Sequence, residues 1–182
     1  FNPSQTTPAM TNPNINPHSG EKFAACFAAT DLPNNDLLIT PSITIGPGES
    51  FKFYAKSYVA DYGLERFKGG ISTSGTDPAD FTIISSGSYI EAPTSWTQYS
   101  FDLSAYTGQS IYLAIQCVSN DAFIFMLDDL YVGDGAGKTS LKMDFEHEIA
   151  QNYAIPEKKK GLHIPVDIPN LVPEVKQLDG YQ

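Results

Sequence analysis

Short segments in which apolar and polar residues alternate recur through this chain, and turn-forming residues separate them. Residues 50–60 (SFKFYAKSYVA) are predicted to place Phe51 and Phe53 on one face of a strand, because successive side chains of a strand point to opposite sides. The same two-residue period recurs in 97–103 (TQYSFDL) and 110–118 (SIYLAIQCV). Strands at this spacing predict an all-β protein, either a β-sandwich or a jelly roll.

Prolines and glycines indicate where other strands are interrupted. Pro41 lies inside the apolar stretch 37–45, which predicts a bulge or an edge position at that point. Gly69 and Gly70, in the strand predicted at 64–73, indicate a bulge or a close backbone approach. Further strands are predicted at 21–29, 81–85 and 88–92.

The character of the chain changes after the last predicted strand of the sandwich. We expect the sandwich to occupy residues 1–135, and residues 136–182 to hold a linker and the start of a following segment or domain. Glycines predict a flexible junction at 133–140 (GDGAGKTS), and 140–153 fits one helix or a strand. The prolines of 156–182 predict a mostly extended connector without a core of its own. We therefore interpret the chain as cut out of a longer modular protein.

The net charge of −10 limits the partners of the chain. An acidic surface repels phosphate backbones and Arg66 is the only arginine, so nucleic acid is not expected as a partner. A surplus of carboxylates suits divalent cations, calcium above all, although ordinary solubility charge explains it equally. The longest apolar runs have the length of strands, so no membrane span is expected in this fragment. The first ten residues lack the basic and hydrophobic parts of a signal peptide, as those of a mature secreted chain also do.

Motifs that would indicate an enzyme are incomplete. GDGAGKTSL at 133–141 has three residues between its first glycine and the GK pair, where a phosphate-binding loop needs four. In HEIAQ at 147–151, a glutamine stands where a zinc-protease helix has its second histidine. No G-x-S-x-G elbow occurs, and His18, His147 and His163 lie outside the predicted strands. The sequence therefore predicts a protein that is not an enzyme.

Two aspartates interrupt the last apolar strand of the predicted sandwich, residues 123–132 (FIFMLDDLYV). Strict alternation puts Asp128 in one row with Met126 and Leu130, and Asp129 in the opposite row. At least one carboxylate must then lie in or beside a buried row, and a buried charge needs a cation or several hydrogen bonds. Because the two side chains point to opposite faces, they do not form a glycosidase pair.

Three partners are open for the buried carboxylate: Ca²⁺, the guanidinium of Arg66, and backbone amides of a covering loop. For a structural calcium ion, Asp129 is the first candidate ligand and Asp128 the second, since hard carboxylate oxygens suit Ca²⁺.

The two cysteines, Cys26 and Cys117, each lie in an apolar strand, where a free thiol behaves as a small hydrophobic group. Whether they form a disulfide depends on their distance across the fold, which the sequence does not give. Both states stay open.

Four tyrosines fall at outward or loop positions: Tyr54, Tyr58, Tyr62 and Tyr106. Such side chains are candidates for stacking on a sugar or packing on a protein. Scattered exposed tyrosines are also normal in soluble proteins.

Six stretches of the chain resemble, in order, the cleaved-adhesin family, also called choice-of-anchor J domains, known from the haemagglutinin/adhesin regions of gingipain proteases. Together they cover nearly all of residues 19–132. The stretches are SGEKFAA (19–25), NNDLLITPSI (34–43), SFKFYAKS (50–57), DYGLERFKGGISTSGTDPADF (61–81), WTQYSFDLSAYTGQSIYLAIQ (96–116) and FIFMLDDLYV (123–132). The family is similar in fold to MAM and galactose-binding-like jelly rolls, which implies a jelly-roll β-sandwich of that type.

The resemblance implies a non-catalytic adhesin-type module of a larger bacterial protein, secreted or on the cell surface. Such a module attaches to a host protein, glycan or cell and sits beside the neighbouring domains of its parent chain. On the resembling segment, Glu65 becomes a third candidate calcium ligand. Two alternatives remain: a carbohydrate-binding appendage of a secreted enzyme, favoured by the tyrosines, and an architectural spacer, favoured by the connector at 156–182.

One part of the family pattern is absent. The family opens with a strand of the F-E…W type that pairs with its closing strand, and nothing before Ser19 resembles it. The segment DFEHE at 144–148 is a candidate for this vacant place.

Overall fold

Two antiparallel β-sheets face each other in the computed structural model, which describes residues 15–146. The strands are β1 (Ala24–Phe27), β2 (Asp36–Ile39), β3 (Ile43–Thr44), β4 (Ser50–Ser57), β5 (Arg66–Ser72), β6 (Thr82–Ile83), β7 (Ile90–Glu91), β8 (Thr97–Asp102), β9 (Ser110–Cys117), β10 (Ile124–Gly133) and β11 (Thr139–Met143). Short 3₁₀ turns lie at Pro78–Asp80 and Ser104–Tyr106. The predicted all-β jelly-roll sandwich is confirmed. None of residues 15–146 forms a helix long and apolar enough to cross a bilayer.

The first sheet has the strand order β1–β10–β4–β8, and β11 extends it by pairing with β10. β1 pairs with Ile124–Leu127 of β10 and β11 with Leu130–Gly133, so the two short strands share one edge of β10. The second sheet has the order β2–β9–β5–β6, with β3 paired to β9 and β7 paired to β5. Pro41 separates β2 from β3, which pair with successive parts of β9, so the predicted interruption is confirmed.

The main core lies between the two sheets, as the alternating pattern predicts. Phe51 and Phe53 of β4 are fully buried, and Leu113 and Ile115 of β9 face them from the second sheet. Gly69 of β5 fits against this core because it lacks a side chain: a Cβ there would lie 3.1 Å from Cε2 of Phe101. The predicted close backbone approach at this glycine is thus confirmed.

A second, smaller core covers the outer face of the first sheet. Ile15 and Phe23, which precede β1, pack with Tyr58, Ile124 and Met126. The indole N–H of Trp96 also donates to the carbonyl of Asn16, at 3.2 Å. The segment before β1 therefore acts as a lid on a sheet face that would otherwise be open to water.

A bulge in β10 overturns the predicted alternation of its side chains. The register with β4 shifts between Asp128, opposite Tyr54, and Tyr131, opposite Lys52, so β10 holds one extra residue there. Asp129 takes a φ of 47°, in the left-handed region. Beyond the bulge, Leu130 points into the main core rather than sharing the face of Asp128. The predicted single row was wrong because alternation fails wherever a strand gains a residue.

The segment 133–140, predicted as a flexible junction, is part of the first sheet. Residues 134–138 connect the paired strands β10 and β11, with Oδ1 of Asp134 accepting the N–H groups of Ala136 and Lys138 at 2.8 and 3.1 Å. Phe145, after β11, is buried in the main core. The sandwich therefore continues past the predicted boundary at residue 135, and the strand alternative for 140–153 holds as far as Met143.

β11 pairs with Leu130–Gly133 of β10, and Phe145 and Glu146 of the DFEHE segment follow it directly. The predictions for His147, for HEIAQ at 147–151, for His163 and for the connector at 156–182 lie outside the described residues.

Candidate binding site

Asp128 is fully buried and is satisfied by backbone amides. Its Oδ2 accepts the N–H of His18 at 2.8 Å and the N–H of Ser19 at 3.1 Å, while its Oδ1 accepts the N–H of Asp129 at 2.8 Å. Burial raises the pKa of this carboxyl to about 6, although the three amide donors act in the opposite direction. Of the three open partners, a covering loop is the one found here.

Asp129 lies beside Asp128 but faces side chains instead of amides. Its Oδ2 is 2.6 Å from Nδ1 of His18, and its Oδ1 accepts the hydroxyl of Ser19 at 2.8 Å. The imidazole of His18 in turn stacks on Tyr54, with ring centroids 3.6 Å apart. The two aspartates thus fasten the segment before β1 onto the outer face of the first sheet.

The three predicted calcium ligands do not converge. The N–H of Glu65 donates to the hydroxyl of Ser57 on β4. Asp128 is opposite Tyr54 of the same strand. Ser57 and Tyr54 are three residues apart, which corresponds to about 10 Å of strand. Within residues 15–146, no three His, Cys, Asp or Glu side chains gather in a metal-binding arrangement. Arg66, the other side-chain candidate for Asp128, pairs with Glu91 at 3.2 Å. Both carboxylate oxygens of Asp128 already accept backbone N–H groups, so calcium at the aspartate pair stays a prediction.

Glu65 has a different role, at one end of the sandwich. Its buried carboxylate accepts the hydroxyl of Ser119 and the N–H of Phe123, and so joins the loop before β5 to the loop before β10. Its Oε1 has no hydrogen-bond partner among the described residues. Burial raises the pKa of Glu65 to about 7. A neutral carboxylic acid is the form best suited to this apolar position.

Beside Glu65, whose carboxylate accepts the N–H of Phe123, three aromatic residues form what we call the aromatic tip: Tyr58, Tyr62 and Phe123. The Phe123 ring lies 5.8 Å from Tyr58 and 6.2 Å from Tyr62, centroid to centroid. Tyr58 is buried and its N–H bonds the carbonyl of Ile124 at 3.0 Å, which fixes the base of the cluster. Tyr62 is 65% exposed and Phe123 is 38% exposed. The tip is an aromatic surface that is buried at its base and open to solvent on its outer side.

Only one of the four predicted tyrosines is freely exposed. Tyr62 is exposed as predicted, whereas Tyr58 is buried because the lid and Phe123 cover it. Tyr54 is partly covered by His18, and Tyr106 packs against the main core from its 3₁₀ turn. The predicted set does not form one binding surface.

Sequence reasoning missed Phe123, which the alternating pattern assigned to a strand row. β10 begins one residue later, at Ile124, so Phe123 belongs to the loop. A signal was present in the turn-forming pair Asn120 and Asp121, which directly precedes Ala122 and Phe123.

The loops at this end are acidic. Exposed aspartates occupy the β1–β2, β4–β5 and β9–β10 loops: Asp31, Asp61 and Asp121. The loops are also tied to one another, since the N–H of Asn34 bonds the carbonyl of Ser119 at 2.8 Å. An aromatic surface among carboxylates favours ligands that carry cationic or hydroxyl groups.

Comparison with known proteins bears on what such a surface is for. Hemagglutinin A of Porphyromonas gingivalis is 28% identical over 147 residues, which cover 70% of this chain and 6% of that protein. Hemagglutinin A of P. gingivalis strain ATCC BAA-308 / W83 is 29% identical over 131 residues, or 62% of this chain and 6% of that protein. The K1 cleaved adhesin domain of Lys-gingipain from P. gingivalis W83 superposes with a TM-score of 0.52 at 21% identity, over 66% of this chain and 79% of that one. The resemblance to the cleaved-adhesin family is confirmed.

No protein-family model matches the chain. The sandwich shares the fold of the K1 cleaved adhesin domain, and the chain spans 6% of the length of each haemagglutinin relative.

Proposed function

We propose that this chain is a non-catalytic, extracellular adhesin-type binding module of a larger bacterial surface or secreted protein. Its role is attachment to host proteins, glycans or cells. The observation that carries the proposal is the aromatic tip, which holds Tyr62 and Phe123 in solvent on a fixed base. The likeness to haemagglutinin A and to a cleaved adhesin domain supports the same function.

The tip has the physical properties of a binding surface. Large aromatic side chains dominate the binding energy of most interfaces, because each contributes much contact area with few rotatable bonds. Tyr58 and the Glu65–Ser119 contact hold the two loops in place beneath it, so little ordering entropy is lost when a ligand binds.

Charge narrows the class of ligand. With a net charge of −10 and an exposed aspartate in each of three loops, the module repels sulfated or sialylated glycans. It favours a protein surface that carries lysine or arginine, or a neutral sugar that offers hydroxyl groups and a flat apolar face.

The histidine of the described region is not arranged for catalysis. His18 is held between Asp129 and Tyr54, and the hydroxyl of Ser19 donates to Asp129. A nucleophile bonded to its base is the arrangement that acyl transfer requires. This geometry supports a module that binds without reacting.

A glycan array run beside a screen of host matrix proteins tests the proposal. We expect binding to a basic matrix protein or to a neutral glycan, and no binding to heparin, which is a sulfated glycan. Tight binding to a single plant-type polysaccharide class would favour the carbohydrate-binding appendage. The absence of any binding would favour the architectural spacer.

A further inference from the structure

The two cysteines lie in different sheets and face the same core. Cys26 is on β1 of the first sheet and packs against the main core, while Cys117 is on β9 of the second sheet and is 3% exposed within it. Both carry free thiols here.

Strand register places the two cysteines at the same level of the sandwich. Cys26 is opposite Phe125 across β1 and β10, and Cys117 is opposite Phe67 across β9 and β5. Phe67 and Phe125 are in direct contact between the sheets, stacked with centroids 5.4 Å apart. Each cysteine is therefore the cross-strand neighbour of one ring in a stacked inter-sheet pair.

Polar residues next to one cysteine also lie next to the other. Sγ of Cys26 lies 3.5 Å from Oδ2 of Asp36, and Asp36 is the register partner of Cys117 across β2 and β9. Sγ of Cys117 lies 3.4 Å from the hydroxyl of Ser119. The carbonyl of Ser119 accepts the main-chain N–H of Asn34, and the side-chain amide of Asn34 donates to Sγ of Cys26 at 3.5 Å.

We propose that Cys26 and Cys117 form a disulfide that joins the two sheets when the protein matures in an oxidising compartment. The bond anchors β1, a four-residue strand at the edge of the first sheet, to β9, which is flanked on both sides in the second. Nothing in this inference depends on the ligand of the aromatic tip.

The reaction needs a disulfide oxidant, either a small molecule or a protein. The thiolate of Cys26 attacks one sulfur of the oxidant and releases one thiol. The thiolate of Cys117 then attacks Sγ of Cys26 and releases the second thiol, and the two protons lost by the cysteines end on the leaving groups. The cysteine pair is oxidised by two electrons and the oxidant disulfide is reduced by two.

Oxidation is expected to precede closure of the sandwich. The hydrogen bond to Cys117, together with burial, raises the pKa of the Cys26 thiol, so little thiolate exists once the domain has folded. The bond should therefore form readily during refolding in a glutathione redox buffer and slowly in the native reduced protein.

Refolding the 182-residue chain in that buffer, followed by alkylation and mass spectrometry, tests the proposal. We expect a monomer lighter by two hydrogen atoms that takes up no alkylating label, and a non-reduced peptide map in which the Cys26 and Cys117 peptides are joined. Its melting temperature should exceed that of the reduced protein by about 5 °C or more, a gain that dithiothreitol abolishes. Cys26→Ala and Cys117→Ala should each show no difference between the two conditions.

A folded monomer that takes up two labels after oxidative refolding would overturn the proposal. Bridges found only between chains would overturn it as well. Both readouts come from the unmodified sequence, so they hold even if a cysteine variant fails to fold.

Discussion

The main-chain N–H of His18 donates to Oδ2 of Asp128 at 2.8 Å, although 110 residues separate the two in sequence. This bond closes the lid over the outer face of the first sheet. The buried carboxylate of Asp128 lies at the bulge of β10, and its role there is structural: it holds the lid.

Asp128→Asn should destabilise the domain far more than Asp129→Asn. An asparagine at 128 brings an NH₂ group against three N–H donors, so at least one buried amide loses its acceptor, at a cost of about 1–3 kcal/mol. At 129 the contacts are partly exposed and asparagine tolerates a positive φ, so the loss should stay under about 1 kcal/mol. Urea denaturation of the two variants measures the difference, and equal losses would contradict the role given to Asp128.

Calcium at the aspartate pair stays a prediction that melting curves can test. An ion that binds only the folded state stabilises it by about 2.7 kcal/mol at a hundredfold excess over its dissociation constant. If Asp129 is a ligand, excess chelator should lower the melting temperature by several degrees and Asp129→Asn should remove that response. Identical curves in calcium and in chelator would leave the loop amides as the sole partners of Asp128.

Stability should fall as pH rises from 5 to 8. The pKa of Glu65 rises from 4.5 to about 7 on folding and that of Asp128 from 3.8 to about 6, so the folded state holds protons that the unfolded chain releases. The stabilisation is complete when the pH is below the pKa values of the unfolded chain. It is lost as the pH rises through the pKa values of the folded state, and Glu65 contributes about 2–3 kcal/mol of it.

Glu65→Gln separates the two contributions to that pH dependence. The variant should lose the decline above pH 6 and keep the part that belongs to Asp128. Chemical denaturation at half-unit pH steps gives the curve, and a stability that increased between pH 5 and 8 would contradict the account.

A chain that ends at residue 135 should be much less stable than one that ends at 146. The shorter chain loses β11 and the buried Phe145, and it exposes half of one edge of β10. Loss of a buried phenylalanine alone costs about 3 kcal/mol or more. Thermal melts of the two chains decide the point. Equal melting temperatures would mean that the sandwich closes without this strand.

The strands were predictable because a period of two survives wherever one face is buried. Phe51, Phe53 and the inward row of β9 needed no knowledge of their partners. The bulge at Asp129 was not predictable, since it is defined by pairing with β4, which lies some 75 residues earlier in the chain.

The surface of the sandwich was harder to predict than its core. Tyr58 is buried by a lid and a loop that are distant in sequence, and the residues around Tyr58 in the sequence do not indicate either of them. The glycines of 133–138 suit a linker and a hairpin turn equally, and only the pairing of β11 with β10 distinguishes the two.

Binding of the fluorescently labelled 182-residue chain to erythrocytes, which offer an accessible host-cell surface, is the most direct test of the proposed attachment to host cells. We predict saturable binding that Tyr62→Ser and Phe123→Ser each weaken by about tenfold or more. Ile83→Ser is the matched control, since Ile83 is also 41% exposed and lies on β6 opposite Gly70, four residues or about 13 Å along β5 from Arg66. Unchanged affinity in both tip variants, equal loss in the control, or no binding by the unmodified chain would contradict the account.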